Sequence, residues 1–148
     1  MAGINTARVV LGGILAGVVV NLGEYLLNEV ILQAQMRAAF ERLNLAPPTG
    51  GAIVTFLFVG FVLGLAMIWL YAAIRPRYGP GPRTAIYAGL AAWTFFNFCT
   101  GVGYIAAGLF PARLVLFGLV WGLIELPLAA VLGAWIYQEE TRPVGVGA

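Results

Sequence analysis

Polar and apolar positions along the chain separate into four long apolar runs, roughly residues 7–28, 52–74, 84–109 and 114–137, divided by short polar or proline-rich stretches. The second run, AIVTFLFVGFVLGLAMIWLYAAI, is the clearest. At about 1.5 Å per residue, a helix of its length reaches across a hydrocarbon layer of about 30 Å. The third is equally free of charge, and the fourth carries Glu125 and Pro127. In the first, the wholly apolar stretch Val9 to Val20 has the length of a signal-peptide core. A single arginine precedes it and no small-x-small cleavage site comes before the polar NLGEYLLN stretch, so it is read as a span.

Between the first two runs, residues 29–44 repeat with helical period: Leu32, Met36, Ala39, Phe40 and Leu43 share one side, and Gln33, Arg37, Glu41 and Asn44 the other. This predicts an interfacial or packed surface helix. The LAPPTGG stretch ends it, because consecutive prolines cannot continue a helix. The expected fold is all-α: an integral membrane four-helix bundle in one domain, with an amphipathic helix in the first loop and a C-terminal tail from residue 138.

Composition agrees with this pattern. Of 148 residues, 61% are hydrophobic and 9% charged, and mean hydropathy is +0.94, outside the range of a soluble domain. All eight cations are arginine and all six anions glutamate; histidine, lysine, aspartate and serine are absent. Ser/His/Asp and Cys/His nucleophiles, Schiff-base lysines and Walker-type phosphate loops are thereby excluded, and no metal site, cofactor or catalytic activity is expected. The net charge of +2 does not point to nucleic acid, since the arginines are few and flank apolar runs. Arg75, Arg77 and Arg83 crowd the loop between the second and third spans, and Arg8 and Arg142 fall on the same side of a four-span chain, against Arg37, Arg42 and Arg113 opposite. The positive-inside rule therefore predicts cytoplasmic termini. Trp69, Tyr71, Tyr87, Trp135 and Tyr137 near that side are expected to form an aromatic belt.

Small and polar residues line up on helix faces. Gly13, Gly17, Asn21, Glu24 and Asn28 share a stripe on the first span, and Gly118, Gly122, Glu125, Ala129 and Gly133 share one on the fourth. Gly60 and Gly64 repeat the four-residue step on the second, while Thr94, Asn97, Gly101, Tyr104 and Gly108 share a face of the third. Such faces let helices approach closely in lipid, and Gly13, Gly17, Gly60, Gly64, Gly118 and Gly122 are the expected packing positions. A carboxylate in hydrocarbon needs a partner. Glu125 is expected to hydrogen bond to Asn97 at mid-depth, with Pro127 kinking the helix and releasing the Leu123 carbonyl. Glu24, nearer the outer interface, is expected to reach water or approach Arg113, Thr100 or Tyr104. Glu125, Asn97, Glu24, Asn21 and Tyr104 form the candidate substrate or proton site.

The segments LGGILAGVVVNLGEYLLN and WGLIELPLAAVLGAWIY resemble small bacterial four-span inner-membrane proteins of the unknown-function kind, and this resemblance implies a bacterial inner-membrane location. A glutamate in the first of four spans also resembles the small multidrug exporters, from which this chain departs in its long first loop and in the acid and proline of its fourth span. The expected function is that of a non-catalytic, multi-pass protein whose partners are the lipid bilayer and either further copies of itself or a larger membrane complex. Two other readings stay open: a small proton-coupled carrier using Glu125 and Glu24, and a membrane enzyme.

Overall fold

The computed structural model describes residues 3–138, which fold entirely as helices and turns, with no strand among the described residues. Five helices follow one another: α1 (Thr6–Ile31), α2 (Gln33–Arg42), α3 (Gly50–Tyr78), α4 (Pro82–Ala106) and α5 (Ala112–Ala134). All but α2 are long and apolar enough to cross a membrane. Asn5 caps α1 by accepting the Arg8 backbone N–H at 3.1 Å. Leu32 and Ala39 of the amphipathic α2 segment are buried, as its pattern predicts. That helix starts later than expected, because residues 29–31 continue the first span.

Two spans carry a widened π-helical segment, Leu26–Ile31 at the end of α1 and Trp93–Phe98 inside α4. In each, a polar side chain returns to a carbonyl one turn earlier. The Asn28 amide donates to the Glu24 carbonyl at 2.9 Å, and the Thr94 hydroxyl donates to the Leu90 carbonyl at 2.9 Å. Side-chain donors of this kind compete for regular helix acceptors and favour a local change of pitch.

The long helices run antiparallel to their neighbours around the ring α3, α1, α5, α4, and α1 is inserted between α3 and α5. Its double sequence GG, AG, VN at positions 12–13, 16–17 and 20–21 makes two adjacent stripes. One stripe meets α3. A Cβ on Gly13 would stand 2.7 Å from Leu65 Cα, one on Gly17 would stand 2.8 Å from Phe61 Cα, and Asn21 lies over Gly60 while donating to the Leu57 carbonyl at 3.2 Å. From the other side, Gly64 meets the backbone of Gly13 and Gly17. The second stripe meets α5, where a Cβ on Gly12 would lie 2.5 Å from the Gly133 carbonyl oxygen. α4 approaches α5 through Gly89, set against the Pro127 backbone, and through Gly101, set against Val115 and Leu119.

These contacts correct one packing expectation: Gly118 has nothing within 4 Å of the position a Cβ would occupy. Composition placed a glycine in register there without a helix opposite. The aromatic belt is also corrected. Trp69 and Trp135 are exposed, but Tyr71 and Tyr137 are buried and meet edge to face at 5.8 Å. Their hydroxyls accept backbone N–H groups, Gly81 on Tyr71 at 3.2 Å and Asn5 on Tyr137 at 3.4 Å, which fastens the α3–α4 turn and the start of α1 to the bundle. In that turn Gly79 (φ 84°) and Gly81 (φ 122°) take left-handed backbone conformations that side chains disfavour. Phe56, Phe58, Phe95, Phe96 and Phe98 are exposed, and Phe61 covers Gly17.

The two classes of glycine predict opposite outcomes. Gly64→Ala forces a methyl into the backbone of α1 and is expected to destabilise the detergent-solubilised protein by roughly 1–3 kcal/mol, whereas Gly118→Ala stays within about 0.5 kcal/mol, both read by reversible denaturant titration.

Candidate functional site

Glu125 is 6% exposed, on the face of α5 turned to α1. Side chains lean toward the N-terminus of their helix. From one turn down α5, the carboxyl reaches the backbone of Gly23, and a Cβ there would lie 2.7 Å from Glu125 Cδ. Gly23 is therefore what admits the acid. Neither carboxyl oxygen has a hydrogen-bond partner among the described residues. The Trp121 indole N–H, which is likewise buried without a hydrogen bond of standard geometry, is the neighbouring donor that bears on the carboxyl. A buried polar group left unsatisfied costs on the order of 1–3 kcal/mol, and more when charged.

The expected bond from Glu125 to Asn97 is not made. Asn97 projects from the π-helical segment of α4 onto Gly122, with the Trp93 ring next to it. The Trp93 indole donates to the Leu119 carbonyl of α5 at 2.9 Å. The four-residue step from Gly118 to Gly122 suggested one shared face, but the stripe divides: Gly122 serves α4, while Glu125 and Gly133 serve α1. Asn97 and Glu125 thus stand on different seams. Pro127 lies inside a helix that runs unbroken from Ala112 to Ala134, and its backbone is the surface on which Gly89 packs.

The remaining candidates lie apart from one another. Glu24 accepts the Asn28 amide at 2.9 Å, a bond within the last turns of α1 in place of Arg113, Thr100 or Tyr104. It is the charged neighbour that bears electrostatically on Glu125. Asn21 is engaged with α3, and Tyr104 is exposed and packs on Phe110 at 5.5 Å. Arg42 is a residue the sequence pattern did not single out: its guanidinium donates to the Gly108 and Leu109 carbonyls at 3.1 and 2.7 Å, at the end of α4.

Around Glu125 a crevice of about 230 Å³ opens between α1 and α5, lined by Val19, Gly23, Trp121, Ile124, Glu125 and Leu128. At its mouth Ile124 is 68% and Leu128 52% exposed, so it opens sideways onto the apolar flank of the bundle. Chemically it is a hydrophobic slot with one acid at its base. Both carboxyl oxygens are shielded, so a hydrogen-bond donor or cation delivered laterally meets the acid only when the side chain turns outward. Gly23 and Trp121, which build the slot, were not among the residues singled out by pattern. The signal available was the GE pair at 23–24, where the second glycine stripe of α1 runs beside the first.

Compared with known protein families, curated proteins and solved structures, the chain matches none.

If the acid is not a structural tie, removing it is harmless to the fold. Glu125→Met is expected to leave stability unchanged or raise it by about 1 kcal/mol in denaturant titration, because no hydrogen bond of standard geometry is lost and a buried acid is removed. In the same assay Trp93→Phe, which abandons the Leu119 carbonyl, is expected to lose about 1 kcal/mol.

Proposed function

We propose that this chain is a non-enzymatic, multi-pass protein of a bacterial inner membrane that works by binding another membrane component laterally, at the α1–α5 crevice. Four spans of sufficient length and hydropathy support the membrane assignment. Arg8, Arg75, Arg77 and Arg83 gather at one end of the bundle, which supports cytoplasmic termini by the positive-inside rule; Arg142 lies outside the described residues.

The observation that carries the reading is the unpartnered Glu125 carboxyl at the base of an apolar, side-opening crevice. Intramembrane acids are costly and are kept where they act. The glycine faces lend less support to self-assembly, because those of α1, with Gly60, Gly64, Gly89, Gly122 and Gly133, are already filled from within the chain. The crevice is walled by apolar side chains, which favours a membrane-borne partner over a water-fed carrier.

A photo-crosslinking residue at Leu128, at the crevice mouth, is expected to trap a discrete membrane protein in native membranes, while the same residue at Phe58, exposed on α3, is not. Adducts to lipid alone at Leu128, or equal trapping at both positions, overturn the reading. Proteoliposomes under an imposed pH gradient check the carrier alternative: proton uptake is expected to be the same for wild type and Glu125→Gln, and uptake that the variant loses would put the carrier in its place.

A further inference from the structure

We propose that the occupant of the α1–α5 crevice is a transmembrane helix of a different protein, carrying a lysine or arginine that pairs with Glu125. This rests on the lateral-binding reading above and specifies its partner. Three observations select it.

The first is charge. Glu125 lines the crevice and is 6% exposed, with both oxygens shielded against Gly23 and without a hydrogen bond of standard geometry among the described residues, so pairing turns the carboxyl from Gly23 toward the crevice. Glu24, the residue after Gly23, adds a second acid on the α1 side. The groups able to bear on Glu125 from the helices around it are thus that acid on α1 and the neutral Trp121 indole on α5 itself, and neither supplies a cation. A basic side chain completes the site, and pairing is what makes both charges tolerable in hydrocarbon.

The second is size and direction. At about 230 Å³ the crevice falls below the roughly 300–1,000 Å³ of pockets that enclose drug-sized ligands, so it is a slot for one side chain. It opens sideways, flanked by exposed Ile124 and Leu128, which offer an apolar strip on which a helix lies. Glu125 stands about 20 Å from one end of α5 and about 14 Å from the other at about 1.5 Å per residue, a depth that a helix crossing the bilayer reaches.

The third excludes a second copy of this chain. It contains no lysine, and its arginines, at positions 8, 37, 42, 75, 77, 83, 113 and 142, all lie at the ends of apolar runs or between and beyond them. A copy has no cation to offer at the depth of Glu125.

The test is association of the full-length protein with a synthetic apolar helix of about 20 residues carrying one central lysine, followed by energy transfer in phosphatidylcholine/phosphatidylglycerol vesicles. The lysine helix is expected to bind wild type about tenfold more tightly than the same helix with leucine in that place, and Glu125→Gln is expected to erase the difference. Ile124→Trp, which crowds the mouth and leaves the acid intact, should weaken the lysine helix and keep helical circular dichroism. This variant covers the case in which Glu125→Gln does not fold. Equal binding of the two helices, or a lysine preference that survives both substitutions, overturns the proposal. So does displacement of the lysine helix by stoichiometric dodecylammonium, which would make the occupant a small amphiphile, or wild-type self-association lost in Glu125→Gln. If the Leu128 crosslink identifies a partner protein while the lysine helix shows no preference, the lateral-binding reading stands and the basic-helix inference alone falls.

Discussion

The two glycine-bearing stripes of α1, one against α3 and the other against α5, set how closely three backbones approach, and the remaining architecture is arranged around that separation. Between helices in lipid there is little hydrophobic drive, so contact has to come from close van der Waals fit. Gly13, Gly17 and Gly64 supply it on one seam and Gly12 with Gly133 on the other. Many large side chains are turned outward, Phe56, Phe58, Phe95 and Ile124 among them, while the most enclosed part of the core combines Ala16, Ala85, Ala88, Ala129 and Ala130 with Met67, Ile68 and Leu126.

The same separation accounts for the crevice. At Gly12 and Gly133 the backbones of α1 and α5 nearly touch, and toward Gly23 the space between them is occupied by the arm of Glu125. An apolar residue in that place would complete the seam. The acid instead interrupts it, with the Trp121 indole N–H as its neighbouring donor.

Most of the fold was legible in the chain because its signals are local or periodic. Span lengths, the proline-marked loop after α2 and the helical period of α2 follow from residues close in sequence. The small-residue faces were legible as faces, but their partners were not. A wheel shows Gly118 and Gly122 on one line, and only the arrangement of the neighbouring helices shows that Gly122 meets Asn97 while Gly118 meets nothing. Glu125 stood out because a charge in an apolar run is conspicuous. Its surroundings did not, since the assignment to Asn97 relied on matching depth, and depth says nothing about azimuth. Tyr71 and Tyr137 were misplaced for a related reason: their position near a helix end fits both a lipid-facing belt and an inward hydroxyl that receives a backbone N–H.

Arg42 gives the bundle a property that none of the spans has. α1 and α4 lie across the ring from one another, and from the α2 side the guanidinium of Arg42 takes hold of two carbonyls, Gly108 and Leu109, in the turn that follows α4. A positive charge is favourable at that negative end of the helix dipole. The short amphipathic helix thereby acts as a diagonal brace at the rim. Sliding of α1 past α4 is resisted at this end by a link that no helix seam provides.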